Sequence, residues 1–524
     1  MLFNSPIFIF AFLPIVVIVF FLAGKFGNHR LAIVWLTLAS LFFYGWWNPL
    51  YVALLLASIS CNYAFGLWIA KAGAEQDTIR QRRLLIVAIA ANLLLLGYYK
   101  YANFFLGSVN SLTDSHLPLD QIILPLGISF FTFTQIAFLV DTYQGKVKEH
   151  NFIHYTLFVT YFPHLIAGPV LHHKEMMPQF GNKQIFNFRL QLFVVGLSIF
   201  FMGLFKKVMI ADTIAAYSTP VFNAANAESV AITFFAAWGG ALAYAFQLYY
   251  DFSGYSDMAI GISLLFGIRL PLNFYSPYKA TNIIDFWRRW HMTLSRFLRD
   301  YLYIPLGGNQ KGKVRRHINL LITMLLGGLW HGAGWTFVIW GGLHGCYLVI
   351  NHAWRALHGT TRVTPAYRSG LGRWIARILT LVSVTVAWVF FRAENLDAAL
   401  QILRGMTGVN GFILPSPLLP LLNHMGFLGS YLEDQGLKFT MDPVFDQWGY
   451  PLLLVLLAFT WFAPNTQQFM ARYKPALSAF EGDSLRSPWL QWRLTRYSAA
   501  FCALLTFLAV LGLNQVSEFL YFQF

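Results

Sequence analysis

The stretch Phe286–Gly345, FWRRWHMTLSRFLRDYLYIPLGGNQKGKVRRHINLLITMLLGGLWHGAGWTFVIWGGLHG, sets three of its four histidines, His291, His331 and His344, among tryptophans, glycines and aliphatic residues. An ionisable side chain inside a hydrocarbon slab is costly, so each is a functional-site candidate. In its first part, Phe286, Trp287, Trp290, Leu294, Phe297, Leu298 and Tyr301 recur at helical spacing, with Arg288, Arg289, Arg296 and Arg299 largely between them. That pattern predicts one amphipathic helix over 284–302, lying at the membrane interface. The segment 307–316 is strongly basic, which places it on the cytoplasmic side.

From Ile318 the chain turns apolar, and at ~1.5 Å per residue His331 lies roughly 20 Å beyond the start of that helix. Gly327, Gly328, Gly332 and Gly334 surround it. A second apolar run, 335–350, leads to Arg355, Arg362, Arg368 and Arg373, so both ends of 318–350 read as cytoplasmic. The arms are short for full crossings. The expectation is a tight hairpin whose glycine-rich apex lifts His331 to mid-membrane or higher.

Composition sets the same frame for the whole chain. Of 524 residues, 57% are hydrophobic and only 11% charged, which excludes an ordinary soluble globule and identifies an all-α polytopic membrane protein. The formal charge of +15 falls in short loops between apolar runs, so it reports topology and not nucleic-acid binding. Cys61, Cys346 and Cys502 are far apart and make no CxxC or Cys/His pattern, which suggests neither a disulfide framework nor a metal site.

Apolar runs near 7–24, 31–47, 50–70 and 84–99 each match a hydrocarbon core of about 30 Å. The first lacks a small-residue cleavage site and reads as a retained helix. Lys25 and Arg30 in the first connection and Lys71, Arg80, Arg82 and Arg83 in the third place the N-terminus outside. Runs at 121–140, 152–171 and 189–205 are interrupted at Pro125–Gly127, Pro163 and Gly168–Pro169, which suits backbone packed within protein or lining a wet funnel.

The run 230–268 carries Asp251 and Asp257, six residues apart and so on different helix faces. Two readings stand for them: carboxylates paired with a basic or hydroxyl group that hold helices together, or groups with a direct part in a reaction. Further spans are expected at 374–391, 449–463 and 497–513, with 405–448 as a small outer cap that does not span. The tail after Leu513 has no basic residue, which places the C-terminus outside as well. The total is about eleven to thirteen membrane segments, re-entrant and interfacial helices included, in one membrane domain over 1–524 whose catalytic core is 284–350.

A buried neutral imidazole is a good general base, and acyl transfer to a hydroxyl asks for one while a thioester donor needs little further activation. His331, flanked by Trp330 and Gly332 at an expected helix break, is the first candidate for that base; His291 follows, and His344 fits glycine-rich packing equally well. A satisfied core histidine is the plainer reading of each. Arg288, Arg289, Arg296, Arg299, Lys311 and Lys313 form a basic belt able to seat the phosphates of a donor or to anchor at anionic headgroups. No P-loop or dinucleotide fingerprint is present.

Eight stretches carry a resemblance: Tyr98–Phe104 (YYKYANF), Phe162–Pro169 (FPHLIAGP), Tyr250–Gly261 (YDFSGYSDMAIG), Phe286–His291 (FWRRWH), Arg299–Tyr303 (RDYLY), Gly327–Ala333 (GGLWHGA), Phe391–Asn395 (FRAEN) and Phe519–Phe524 (FLYFQF). With them the chain resembles the membrane-bound O-acyltransferase superfamily, and within it the bacterial branch that O-acetylates polysaccharides such as alginate and cellulose. The resemblance implies an acyltransferase of the bacterial inner membrane with a thin core and funnels to both faces. It makes His331 the catalytic histidine and His291 a second one; beside them Arg288, Arg289, Trp290 and Trp330 stand as candidate donor-binding residues, and Asp251, Asp257 and His344 as structural or active-site polar candidates.

The resemblance also implies acetyl-CoA or an acyl carrier protein as donor, no bound cofactor, membrane lipids around the chain, and periplasmic acetyltransferase proteins as partners that place the acetyl on the polymer. Two alternatives remain in view. Relatives add D-alanine or other acyl groups to cell-wall polymers, although the run Ser256–Gly261 and the aromatic ending look more like the polysaccharide branch. A transporter or flippase would use the histidines for proton relay, but the two halves show no matching hydropathy.

Overall fold

The computed structural model describes residues 1–358 and 370–514, except 119–121, 167, 228, 229, 415, 417, 425–427, 436, 479 and 481–490, together with 520. Arg362, Arg368, Arg486, the terminal FLYFQF motif apart from Leu520, and the C-terminus lie outside the described residues. The described chain is almost entirely helical, with a single two-residue parallel pairing, Ile413–Leu414 with Lys438–Phe439. Among the described residues five helices are long and apolar enough to cross a membrane: Phe8–Lys25, Leu50–Ala74, Thr78–Thr113, Leu190–Asn226 and Gly370–Arg392. Three shorter apolar helices, His29–Gly45, Gly449–Phe462 and Arg496–Leu511, add to them. This is an all-α multi-pass membrane protein.

The chain forms two compact units. The first comprises 1–205, 253–273 and 466–523. Its turns follow from local chemistry. Gly27 takes a φ of +73° and Asn28 then caps the helix His29–Gly45 by accepting from Leu31 N–H. Asp77 does the same for the helix starting at Thr78, through Arg80 N–H.

Helices here approach closely where side chains are absent. A Cβ on Gly196 would lie 2.7 Å from Gly261 O, and one on Gly203 would lie 2.5 Å from Gly254 O. Small residues seven apart on both helices therefore form the contact, the usual way that helices pack without a hydrophobic drive from water. Asn62 and Asn92, both buried, exchange amide hydrogen bonds between their helices at 2.6 and 3.2 Å. Asp257 Oδ2 accepts from Thr466 Oγ1 at 2.6 Å within this unit.

The second unit comprises 206–252 and 274–465. One of the chain boundaries between the units, after Phe252, falls inside the helix Phe234–Leu265. The dominant packing in the second unit is an antiparallel hairpin, Gly312–His331 against Trp335–Leu357. Its arms have 20 and 23 residues and start and end further out than the apolar run 318–350, so they are longer than the sequence suggests. The extra turns are the basic ones, which carry Lys313, Arg315, Arg316 and Arg355.

Two further expectations are corrected. The segment 284–302 is not one amphipathic helix: it is Ile283–Arg289, then Met292–Leu298, then a π-turn at Arg299–Tyr303. The break is His291, whose φ of +42° no continuous helix accommodates. The run 152–171, interrupted next to Pro163 as expected, is two short helices, Phe152–Thr160 and Phe162–Leu165, and these are too short for the crossing expected of it. Between Thr407 and Trp448 the described helices, Leu418–His424 and Leu428–Asp434, have seven residues each.

Candidate functional site

The site lies within the second unit, at the tip of the hairpin. His331 is the last residue of the first arm, and Gly332 leaves the helix with extended backbone. The glycines of Gly327–Ala333 are explained by what they touch. A Cβ on Gly332 would meet the Phe337 ring at 2.1 Å, one on Gly328 would meet Phe337 O at 2.2 Å, and one on Gly341 would meet Met324 O at 2.3 Å. Only residues without Cβ let the arms close this tightly, and that closeness positions the last turn carrying His331.

His331 is 4% exposed and ringed by aromatics: Trp330 at 4.9 Å between centroids, Trp340 at 5.1 Å and Phe391 at 5.2 Å. Edge-to-face angles of 70–88° set its plane. The His291 ring lies 6.2 Å from that of His331. His291 itself is fully buried, with Phe252 edge-on at 4.8 Å. Its left-handed backbone, rare for a residue with a Cβ, turns the chain so that the ring enters the site, and its carbonyl accepts from Ser295 N–H to start the next helix.

His344, on the second arm, completes the group. Its Nδ1 accepts the indole N–H of Trp287 at 3.2 Å, so the remaining proton of a neutral ring is on Nε2. Nε2 is buried with no hydrogen-bond partner among the described residues. Trp340 bridges the histidines, 4.9 Å from His344 and 5.1 Å from His331, and stacks at 19° on Trp388. Trp290, stacked on Phe286 and 5.0 Å from Trp388, closes the layer.

The structure thus brings together His291, His331, His344, Trp290 and Trp330. Arg289 neighbours them in sequence, but its Nε is held by Asp285 at 3.0 Å, four residues back on its own helix; Arg288 is exposed. Asp251 is fully buried with Lys207 Nζ at 2.7 Å, and that ammonium also meets Asp212 at 2.8 Å. The neighbour of Asp251, Phe252, is the ring packed on His291. Asp257 belongs to the first unit. No group of three or more His, Cys, Asp or Glu arranged to hold a metal occurs among the described residues.

Sequence reasoning missed Trp287, Trp340, Trp388, Phe391 and Phe252 as components of the enclosure. Phe391 opens the FRAEN motif, whose other members make a joint. Arg392 lies over the Phe222 ring, Glu394 accepts from Asn226, and Asn395 caps the helix Leu396–Met406. A motif with one residue facing the histidines and the rest fixing the helix end could have pointed there.

Residues 41–390 match the family model described as MBOAT, membrane-bound O-acyltransferase family. A peptidoglycan O-acetyltransferase of Helicobacter pylori is 47% identical over 442 residues, covering 79% of this chain and 81% of that one. The "probable alginate O-acetylase AlgI" of Pseudomonas putida is 38% identical over 532 residues, covering both chains completely. A teichoic acid D-alanyltransferase of Streptococcus thermophilus is 30% identical over 236 residues, 44% of this chain and 57% of its own. The match spans both the hairpin and the histidine pair, and the chain belongs to the membrane-bound O-acyltransferase family, as an acyltransferase.

Proposed function

We propose that the chain takes an acetyl group from a thioester donor, acetyl-CoA, on the basic side of the inner membrane and passes it outward for O-acetylation of an exported polysaccharide. The observation that carries this reading is the pairing of His331 with His291, rings 6.2 Å apart, inside a water-poor aromatic enclosure at the tip of the glycine-rich arm. The proteins similar over most or all of the chain are named for O-acetylation of alginate and of peptidoglycan.

In this reading His331 takes the proton of an accepting hydroxyl presented by the periplasmic partner as that oxygen attacks the thioester carbonyl. The new C–O bond forms, the C–S bond breaks, and the proton held on the imidazole passes to the departing thiolate. Trp340 and Phe391 hold the imidazole plane, while His291 orients the carbonyl. The basic belt around Arg288 receives the donor. A periplasmic acetyltransferase partner places the group on the polymer, and the N-terminus faces that side.

The test compares a deletion strain with the same strain carrying the wild-type chain, both fed labelled acetate, measuring ester-linked label on exported polysaccharide and on peptidoglycan separately. Label that returns with the chain on one polymer identifies the acceptor. Equal labelling of both polymers in the two strains defeats the proposal.

A further inference from the structure

The end of the hairpin far from His331 has a charge pattern that acyl transfer does not explain. Between Asp300 and Glu394 the sequence holds ten lysines and arginines and no aspartate or glutamate. Four of the basic side chains of this segment converge where the two arms open. The rings of His317 and His352 lie 6.4 Å apart across the arms. Arg316 Nη2 donates to His317 Nε2 at 3.0 Å, and His352 is within Coulombic reach of Arg316, Arg355 and His317. All four are half-buried.

Gathering guanidinium groups beside imidazoles in partly desolvated surroundings raises the local positive potential and favours an anion there. Arg316 Nε is buried with no hydrogen-bond partner among the described residues. The arm Gly312–His331 also starts here without a side-chain cap, so its first amide N–H groups add donors on the same side. Guanidinium forks beside imidazoles and helix-start amides are donors suited to the oxygens of a phosphate.

We propose that the open end of the hairpin is a phosphate-binding site, formed by Arg316, His317, His352 and Arg355. The phosphate is either the headgroup of an anionic phospholipid or that of a soluble ligand, and its charge draws the two arms together. Fourteen residues separate His317 from His331, ~21 Å along the arm, so the site is distinct from the histidine pair. Binding requires no turnover and does not depend on the proposed acetyl transfer.

Hydrogen exchange of the full chain in nanodiscs tests this, read on peptides covering 312–318 and 350–357. Three settings are compared: phosphatidylcholine alone, phosphatidylcholine with phosphatidylglycerol, and phosphatidylcholine with millimolar pyrophosphate in the buffer. Exchange of both peptides slows at least threefold in the second or third setting. Slowing by phosphatidylglycerol assigns a lipid headgroup, and slowing by pyrophosphate assigns a soluble phosphate. The effect disappears in Arg316→Gln/Arg355→Gln, is partly kept in Arg316→Lys/Arg355→Lys, and is intact in Arg373→Gln, on the exposed start of another helix. Wild-type exchange that responds to neither phosphate source overturns the proposal, whatever the variants do.

Discussion

Trp287 donates its indole N–H to Nδ1 of His344 across 3.2 Å, tying the short helix before the backbone break to the second arm of the hairpin. Replacing Trp287 with Phe leaves that buried nitrogen without a donor, at a cost of ~1–3 kcal/mol in stability. The double variant Trp287→Phe/His344→Phe removes both partners and loses less than the sum of the two single changes. Thermal unfolding of the four proteins in one detergent measures the coupling. Strict additivity would show that the contact contributes nothing.

The hairpin glycines divide into two classes. Gly328→Ala drives a Cβ into Phe337 O, 2.2 Å away, whereas Gly342→Ala meets only Leu325 Cδ2 at 3.5 Å, an ordinary contact. Gly328→Ala is expected to destabilise by ~1–3 kcal/mol and to lower turnover by displacing the turn that carries His331. Gly342→Ala stays close to wild type. Equal behaviour of the two variants would contradict the close-packing account.

Lys207 lies between two carboxylates and is 2% exposed. Lys207→Met strands Asp251 and Asp212 together, a change worth ~3–5 kcal/mol for a buried pair broken from one side. Asp212→Asn leaves the Lys207–Asp251 contact and is milder. Survival of monodisperse protein after heating, read by size-exclusion fluorescence, ranks them; wild-type survival of Lys207→Met would refute the assignment.

Much of this was legible in the residues because strong signals coincided. Basic ends, an apolar run and clustered glycines mark the hairpin, and a histidine between tryptophan and glycine marks its tip. The break at His291 was not, since the aromatic spacing from Phe286 to Tyr301 continues as if one helix ran through it. A positive φ leaves no trace in the letters. Lys207 as the partner of Asp251, and Trp388 and Phe391 as walls of the histidine enclosure, come from segments about 45 to 100 residues away, so only the folded chain pairs them. The glycine contacts at 196–261 and 203–254 were hidden for the same reason.

The measurement that bears most directly on the account uses purified protein in nanodiscs with radiolabelled acetyl-CoA, comparing wild type with His331→Ala for thioester turnover and for donor binding. The account predicts that His331→Ala keeps binding and the folded state while turnover falls by ~10²–10⁴, the range of a lost general base. Turnover at the wild-type rate in a folded His331→Ala protein would contradict it.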